Sequence, residues 1–288
     1  MRISETLEGF SRSMVVKGSR LPKTTSKYDQ IMRRFIVFAG DKAIHELQVE
    51  DFGKFKYDMV LSKKKSSTIA TTMSVFCKYA AFLRDHHSVK DLDIEEIRMM
   101  RPKVHQTSPE ALERWEIDKL FEAAADIEDR ALVHLLFYTG VRIDELLSLR
   151  EANIHEHEAQ GESGASVTTK WIEVIGKGAK PREIPLSASA ELTLVRYLRY
   201  MGDKNAGGFE KLFPSSYSTY WRRLKKLGEK AGVKVSPHVL RHSFGCELLD
   251  RGEDLRRIAD LMGHSDMNTT MRYTAVKDRS KIDAVNKL

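Results

Sequence analysis

Between Pro237 and Tyr273 the chain concentrates side chains that could do chemistry on a phosphate. It runs Pro237-His238-Val239-Leu240-Arg241-His242 and keeps helical spacing to Asp250. After a break at Gly252 it resumes to Met262-Gly263-His264 and reaches Thr269-Thr270-Met271-Arg272-Tyr273. On a helix, positions 238, 241 and 242 stand three and four residues apart, which places two imidazoles and a guanidinium on one face. These residue types form one chemical set. A guanidinium clamps phosphate oxygens through paired N–H donors, an imidazole moves a proton near neutral pH, and a tyrosine hydroxyl can act as a nucleophile. Phosphoryl transfer through a tyrosyl intermediate would use all three. Taken singly, each also fits a plainer role, with His238 and His242 as satisfied helix residues, Arg241 as a surface cation and Tyr273 as part of a core.

Related chemistry recurs upstream. Thr139-Gly140 interrupts a helical stretch, and Val141 to Leu149 resumes it with Ile143, Leu146 and Leu149 on the buried side. Arg142 then falls in the first turn after a glycine, where the chain can bend and present it to a cleft. Glu145 stands ready to hold a neighbouring cation or imidazole, although such a pair on one helix is most often an exposed ion pair worth little. Trp171 to Ile175 and Arg182 to Leu186 read as two short strands joined by Gly176-Lys177-Gly178-Ala179-Lys180-Pro181. Lys177 thereby sits between glycines that permit close approach of the backbone to a ligand. An ordinary turn lysine would look the same. The polar, Gly/Ser-rich stretch from His155 to Lys170 reads as a mobile loop, and its His155 and His157 are weak evidence for a metal.

The elements that must position these residues fall into two groups. A chain of 288 residues can bury two cores. Its net charge is +7, and residues 1–105 hold 20 Lys/Arg against 13 Asp/Glu while the remainder is balanced, so the whole excess lies in the first third. That asymmetry suggests polyanion binding by the first part and chemistry in the second. Ile3, Leu7, Phe10 and Met14 form one helical stripe; Tyr28, Ile31, Met32, Phe35 and Phe38 form another, with Thr24, Thr25 or Ser26 as caps. Two further stripes run through Phe52, Phe55 and Met59, and through Ile69, Met73, Phe76, Ala80 and Leu83. The fourth helix is preceded by Lys63-Lys64-Lys65-Ser66-Ser67-Thr68, three cations and three hydroxyls of the kind that contact phosphates, or else a solvated loop. Residues 1–100 thus read as a helical DNA-binding domain, 101–110 as a proline-bearing linker, and 111–288 as a catalytic domain with a tail from 278. Cys77 and Cys246 have no CxxC partner, so neither a disulfide nor a zinc framework is expected. With no run of eighteen apolar residues and no signal-peptide core, a cytoplasmic, nucleoid-associated protein without membrane contact is expected.

In order along the chain, Thr139-Gly140-x-Arg142-x-x-Glu145-Leu146, Gly176-Lys177-Gly178-x-Lys180-x-Arg182, His238-x-Leu240-Arg241-His242, Met262-Gly263-His264 and Tyr273 resemble the signature of tyrosine recombinases. Within that family the chain looks most like the compact Xer-type proteins. Met262 replaces the family's usual leucine, a change of similar volume, and the 155–170 stretch is longer than a minimal hairpin entry. The resemblance implies a mainly α protein with a small β-sheet, built from an N-terminal four-helix SAM-like core-binding domain and a C-terminal catalytic domain. It implies a site-specific recombinase that cleaves and rejoins duplex DNA, for chromosome-dimer resolution or for integration of a mobile element.

By the same resemblance Tyr273 is the nucleophile, Arg142 and Arg241 clamp the phosphate, and His238 assists proton removal. Lys177 protonates the leaving oxygen and His264 hydrogen-bonds the phosphate, with Glu145 and His242 as supports and Lys180 and Arg182 as DNA contacts. No metal or nucleotide cofactor is expected. The assembly implied is a tetramer on synapsed DNA, with the tail docking either in trans on a neighbouring subunit or back on its own domain. A type IB topoisomerase, a metal-dependent hydrolase using His238, His242 and His264, and a non-catalytic DNA-binding protein are the competing readings.

Overall fold

The computed structural model describes residues 1–18, 22–104, 111–160, 166–176, 180–204 and 210–263. The chain divides into two compact units, Met1–Gln106 and Thr107–Leu288.

The first unit is helical: α1 (Ile3–Gly18), α2 (Pro22–Ala39), α3 (Val49–Leu61), α4 (Ser66–His87) and α5 (Ile94–Met99). The apolar stripes close on a core centred on Phe35, Phe52 and Phe76, whose ring centroids lie 4.7–5.1 Å apart. Phe38, the last member of the second stripe, is instead 44% exposed. Thr24, Thr25 and Ser26 are not caps. The helix starts at Pro22, which suits a first helical turn because its missing N–H would have no partner there. A fifth, six-residue helix escapes the periodicity reading because it is too short for a stripe. Asp93 caps it, accepting from the amides of Glu95 and Glu96.

The second unit contains α6 (Arg114–Ala123), α7 (Ile127–Thr139), α8 (Ile143–Leu146), β1 (Ile154–Gln160), β2 (Ser166–Ile175), β3 (Pro181–Pro185), α9 (Ala188–Lys204), α10 (Tyr217–Ala231), α11 (Pro237–Asp250) and α12 (Leu255–Met262). Helix α7 is apolar on most sides, as a central helix must be, and it packs against α6, α9, α10 and α11. Helix α11 begins on Ser236, whose side chain accepts from Val239 N, with Pro237 in the first turn. It is buried continuously from Leu240 to Cys246, so two of the three candidate residues it carries, Arg241 and His242, lie inside the fold.

The stretch from 155 to 170, which composition reads as a mobile loop, contains most of β1 and the start of β2. The three strands form an antiparallel sheet in the order β1-β2-β3. Ile154 faces Ile172, which faces Ile184, and these apolar positions put one side of the sheet on the core. On the other side His155 lies 3.7 Å from Glu173, and His157 lies 3.8 Å from Glu183. Polar composition hid the strand because Glu156 and Glu158, on the same side as Ile154, are exposed, so no apolar period-two pattern marks the core side.

Candidate active site

Two helix ends on glycine help bring the candidate residues together. Helix α7 ends at Gly140 in the left-handed region, with φ 61°. That turn delivers Arg142 to the position just before α8, where its backbone N–H donates to Glu145 Oε2 at 2.8 Å and its side chain to Oε1 at 2.8 Å. Helix α12 likewise ends on Gly263 with φ 64°. Its carbonyl accepts from Arg142 Nη2 at 3.4 Å.

Arg241 reaches into the same place from α11. It is only 5% exposed, so it is no surface cation. Its Nη1 donates to the Gly140 carbonyl at 2.6 Å and its Nη2 to the Met262 carbonyl. Both glycine-terminated helices therefore orient one guanidinium through their last carbonyls. A buried guanidinium needs such acceptors, since an unpartnered buried charge is costly.

His238 lies one helical turn before Arg241 and opens to solvent. Loss of hydration, together with the nearby charges of Arg241 and Arg142, holds its pKa below the ordinary value. The imidazole is accordingly neutral at pH 7 and able to accept a proton. His242 follows one turn further along α11 and is buried. Cys246 Sγ lies 3.8 Å from its Nε2, and burial lowers its pKa also. Cys77 and Cys246 are not joined in a disulfide.

Glu145 is 6% exposed. Burial alone would raise its pKa, but hydrogen bonds from Arg182 and from the Arg142 amide outweigh that and hold it below the ordinary carboxylate range. Three guanidinium groups against this one carboxylate leave the cluster two charges positive, a field suited to a phosphodiester.

Arg182, for which a DNA contact was expected, has its guanidinium engaged by the protein itself. It lies on the core-facing side of β3, paired with Val174 and two residues from buried Ile184, with its guanidinium turned onto Glu145. The alternation Arg182, Ile184 inward and Glu183 outward was a signal for this placement. Lys180 is exposed, and its carbonyl accepts from Gly176 N at 2.9 Å, closing the hairpin base. Lys63 to Thr68 are all exposed in the first unit, with α4 starting at Ser66. Lys177, His264, Tyr273 and the tail from 278 lie outside the described residues. Gly176 and Gly263, which precede Lys177 and His264, lie within them. A Cβ on Gly176 would meet the Arg182 guanidinium at 3.4 Å, and Gly263 directly precedes His264. Sequence reasoning missed Ser243, whose hydroxyl accepts from Leu112 N at 2.8 Å and donates to the Val239 carbonyl, tying α11 to the chain before α6.

Comparison with known proteins agrees with this geometry. Residues 110–280 match the phage integrase family. The chain is 36% identical over 215 residues to tyrosine recombinase XerA of Pyrococcus furiosus, covering 71% of each protein. It is 30% identical over 280 residues to XerA of Thermococcus kodakarensis, covering 95% of this chain and 91% of that one. Among solved structures, a crystal structure of XerA recombinase matches with a TM-score of 0.51 at 26% identity, over 99% of this chain and 98% of that chain. XerH bound to a palindromic difH substrate, a post-cleavage complex, matches with a TM-score of 0.73 at 17% identity, over 99% of this chain and 84% of that chain. The helical second unit, with its small sheet and arginine cluster, has the fold of a tyrosine-recombinase catalytic domain. The chain belongs to the phage integrase family and is a tyrosine recombinase of the Xer type.

Proposed function

We propose that this protein cuts and rejoins duplex DNA at a specific site, with Tyr273 as nucleophile. The Tyr273 oxygen attacks the scissile phosphorus and a 3′-phosphotyrosyl bond forms. The bond to the 5′-oxygen breaks, and that oxygen leaves as a hydroxyl. His238 takes the tyrosine proton, which an unperturbed pKa near 10 would otherwise retain. Lys177 supplies the proton to the leaving oxygen, a task suited to an ammonium whose pKa is readily adjusted. Arg142 and Arg241 clamp the non-bridging oxygens where charge accumulates, and His264 adds a hydrogen bond. The reverse reaction with a different 5′-hydroxyl exchanges strands. The phosphotyrosyl bond retains the energy of the phosphodiester, so no nucleotide cofactor takes part.

The observation that carries this reading is the convergence of Arg142, Arg241 and His238 in one positively charged cluster. The first unit binds the duplex through its basic excess, including Lys63 to Thr68, while the second does the chemistry. Xer-named relatives favour resolution of chromosome dimers over integration of a mobile element. Four protomers act on two synapsed sites, with the tail of each reaching a neighbour. Such a protein works on the nucleoid in the cytoplasm; no helix among the described residues is long and apolar enough to cross a membrane.

Covalent trapping on genomic fragments of the source organism tests the proposal. Wild-type protein should retain one short sequence through denaturation, and Tyr273→Phe should bind it with near-equal affinity while forming no adduct. Adduct with Tyr273→Phe, or none with wild type, would sink the assignment. A trapped sequence at the ends of a mobile element would replace chromosome resolution by integration.

A further inference from the structure

We propose that Arg182 is a positioning residue of the active site, whose guanidinium fixes the Glu145 carboxylate and through it the Arg142 side chain. The inference rests on the reading of Arg142 as a phosphate clamp and adds a residue to it.

The contacts of Arg182 are specific. Its side chain is 13% exposed. Its Nη1 donates to Glu145 Oε1 at 3.1 Å and its Nη2 to Oε2 at 2.8 Å, the two-pronged geometry that a guanidinium makes with a carboxylate. Its Nε donates to the Leu261 carbonyl at 3.0 Å. All three nitrogens thus serve the protein. Each Glu145 oxygen is shared, Oε1 between the two guanidinium groups and Oε2 between Arg182 and the Arg142 amide. The carboxylate is a bridge with Arg182 on the inner side and Arg142, 33% exposed, on the outer.

Arg182 also reaches the two neighbouring turns. A Cβ on Gly263 would fall 2.9 Å from its Nη1, so the end of α12 passes directly over the guanidinium. Gly176, at the start of the β2–β3 turn, lies against the same group. One side chain therefore ties β3 to α8 and to the end of α12, and it stands beside the residues that precede Lys177 and His264.

The arrangement has an electrostatic consequence. Among the described residues, the charged groups facing Glu145 are Arg142 from its own segment and Arg182 from β3. Helix α12 contributes the Leu261 and Gly263 carbonyls to the two arginines, and the β2–β3 turn contributes the Gly176 backbone. Without Arg182, burial would act on Glu145 against one cation instead of two. Its proton affinity would rise, and a protonated Glu145 no longer holds Arg142 by charge. A lysine at 182 restores the charge but not the fork.

Arg182→Gln and Arg182→Lys test this with three readouts. Carboxyl carbon NMR, assigned with Glu145→Gln, follows Glu145 ionisation. Adduct formation at saturating duplex, using the sequence trapped by the wild type, is followed against pH. Affinity for the same duplex is measured at two salt concentrations. Arg182→Gln should raise the Glu145 midpoint and move the acid limb of cleavage the same way. It should also slow adduct formation about tenfold or more, since small misplacements of catalytic groups cost that much. Arg182→Lys should fall between, and it decides the matter if the glutamine variant does not fold. The salt slope should not change.

An unmoved Glu145 midpoint would overturn the proposal. So would a rate loss that follows thermal stability with the acid limb fixed. A salt slope reduced by about one phosphate's worth at full cleavage rate would restore Arg182 as a DNA contact and overturn it also. If wild type forms no adduct, the recombinase chemistry fails, while the NMR titration still reports whether Arg182 governs Glu145.

Discussion

Gly140 is the position at which a single methyl group should do most damage. Its φ of 61° is left-handed, and alanine there costs about 1–2 kcal/mol in backbone strain. The added Cβ would also lie 2.2 Å from Phe244 Cδ1 and 2.6 Å from its Cε1. Phe244 is itself buried, at 9% exposure, so it must move within packed surroundings, and such overpacking costs about 1–3 kcal/mol. Together these terms put Gly140→Ala at about 2–5 kcal/mol. For a unit of this size that lowers the melting temperature by roughly 4–20 °C. The Gly140 carbonyl also accepts from Arg241 Nη1 at 2.6 Å, so adduct formation should fall even at temperatures where the variant is folded. Thermal melts of Gly140→Ala, Phe244→Leu and the double variant measure the steric part as a coupling energy. A Gly140→Ala melt within about 2 °C of wild type would refute the reasoning, as would a cycle without coupling to Phe244.

Two other outcomes are open to measurement. His134 stacks near Phe121 and bonds Thr193 Oγ1, and burial with the nearby Arg130 lowers its pKa to about 4. The unfolded chain takes up a proton near pH 6.5 that the folded chain refuses, so stability is full above that pH and falls as pH drops towards 4. For this partly exposed ring the loss is about 1–2 kcal/mol, and urea midpoints of His134→Gln should show a flatter acid side. Replacing Lys63, Lys64 and Lys65 by glutamine should reduce the slope of log affinity against log salt, by about 0.9 for each phosphate these lysines neutralise. An unchanged slope would leave those lysines as solubility features.

What could be read before the structure follows from the length scale of each signal. Helices long enough to carry an apolar stripe were legible, as was the start of α11, because Ser236 and Pro237 are local signals that need no tertiary context. The chemistry-bearing residues were legible by type and order. Strand β1 was not, since Ile154 is followed on its own side by the exposed Glu156 and Glu158, which leaves no apolar alternation to read. The pairing of Arg182 with Glu145 was not legible, because a basic residue after a glycine-lysine turn looks like a phosphate contact. The inward direction of Arg182 follows from pairing with Val174, which is a property of the sheet. His242 shares a face of α11 with His238, as the spacing predicts, but its burial depends on what packs there, which only the fold supplies.

Arg142 and Arg241, the two arginines proposed to clamp the phosphate, are held by different chemistry, and the difference bears on His238. Arg241 is oriented by the carbonyls of Gly140 and Met262, which fix a guanidinium without cancelling its charge. Arg142 is oriented by a carboxylate, which would cancel it, and Arg182 returns the missing charge from behind. The cluster therefore stays positive while every guanidinium in it is held. That same field, added to the loss of hydration, keeps His238 unprotonated in the free protein. A phosphodiester seated between Arg142 and Arg241 brings a negative charge and offsets part of the field, so the proton affinity of His238 rises. On the proposed mechanism, the histidine is thus empty before DNA arrives and becomes a stronger base once the phosphate is in place, when the Tyr273 proton has to be taken.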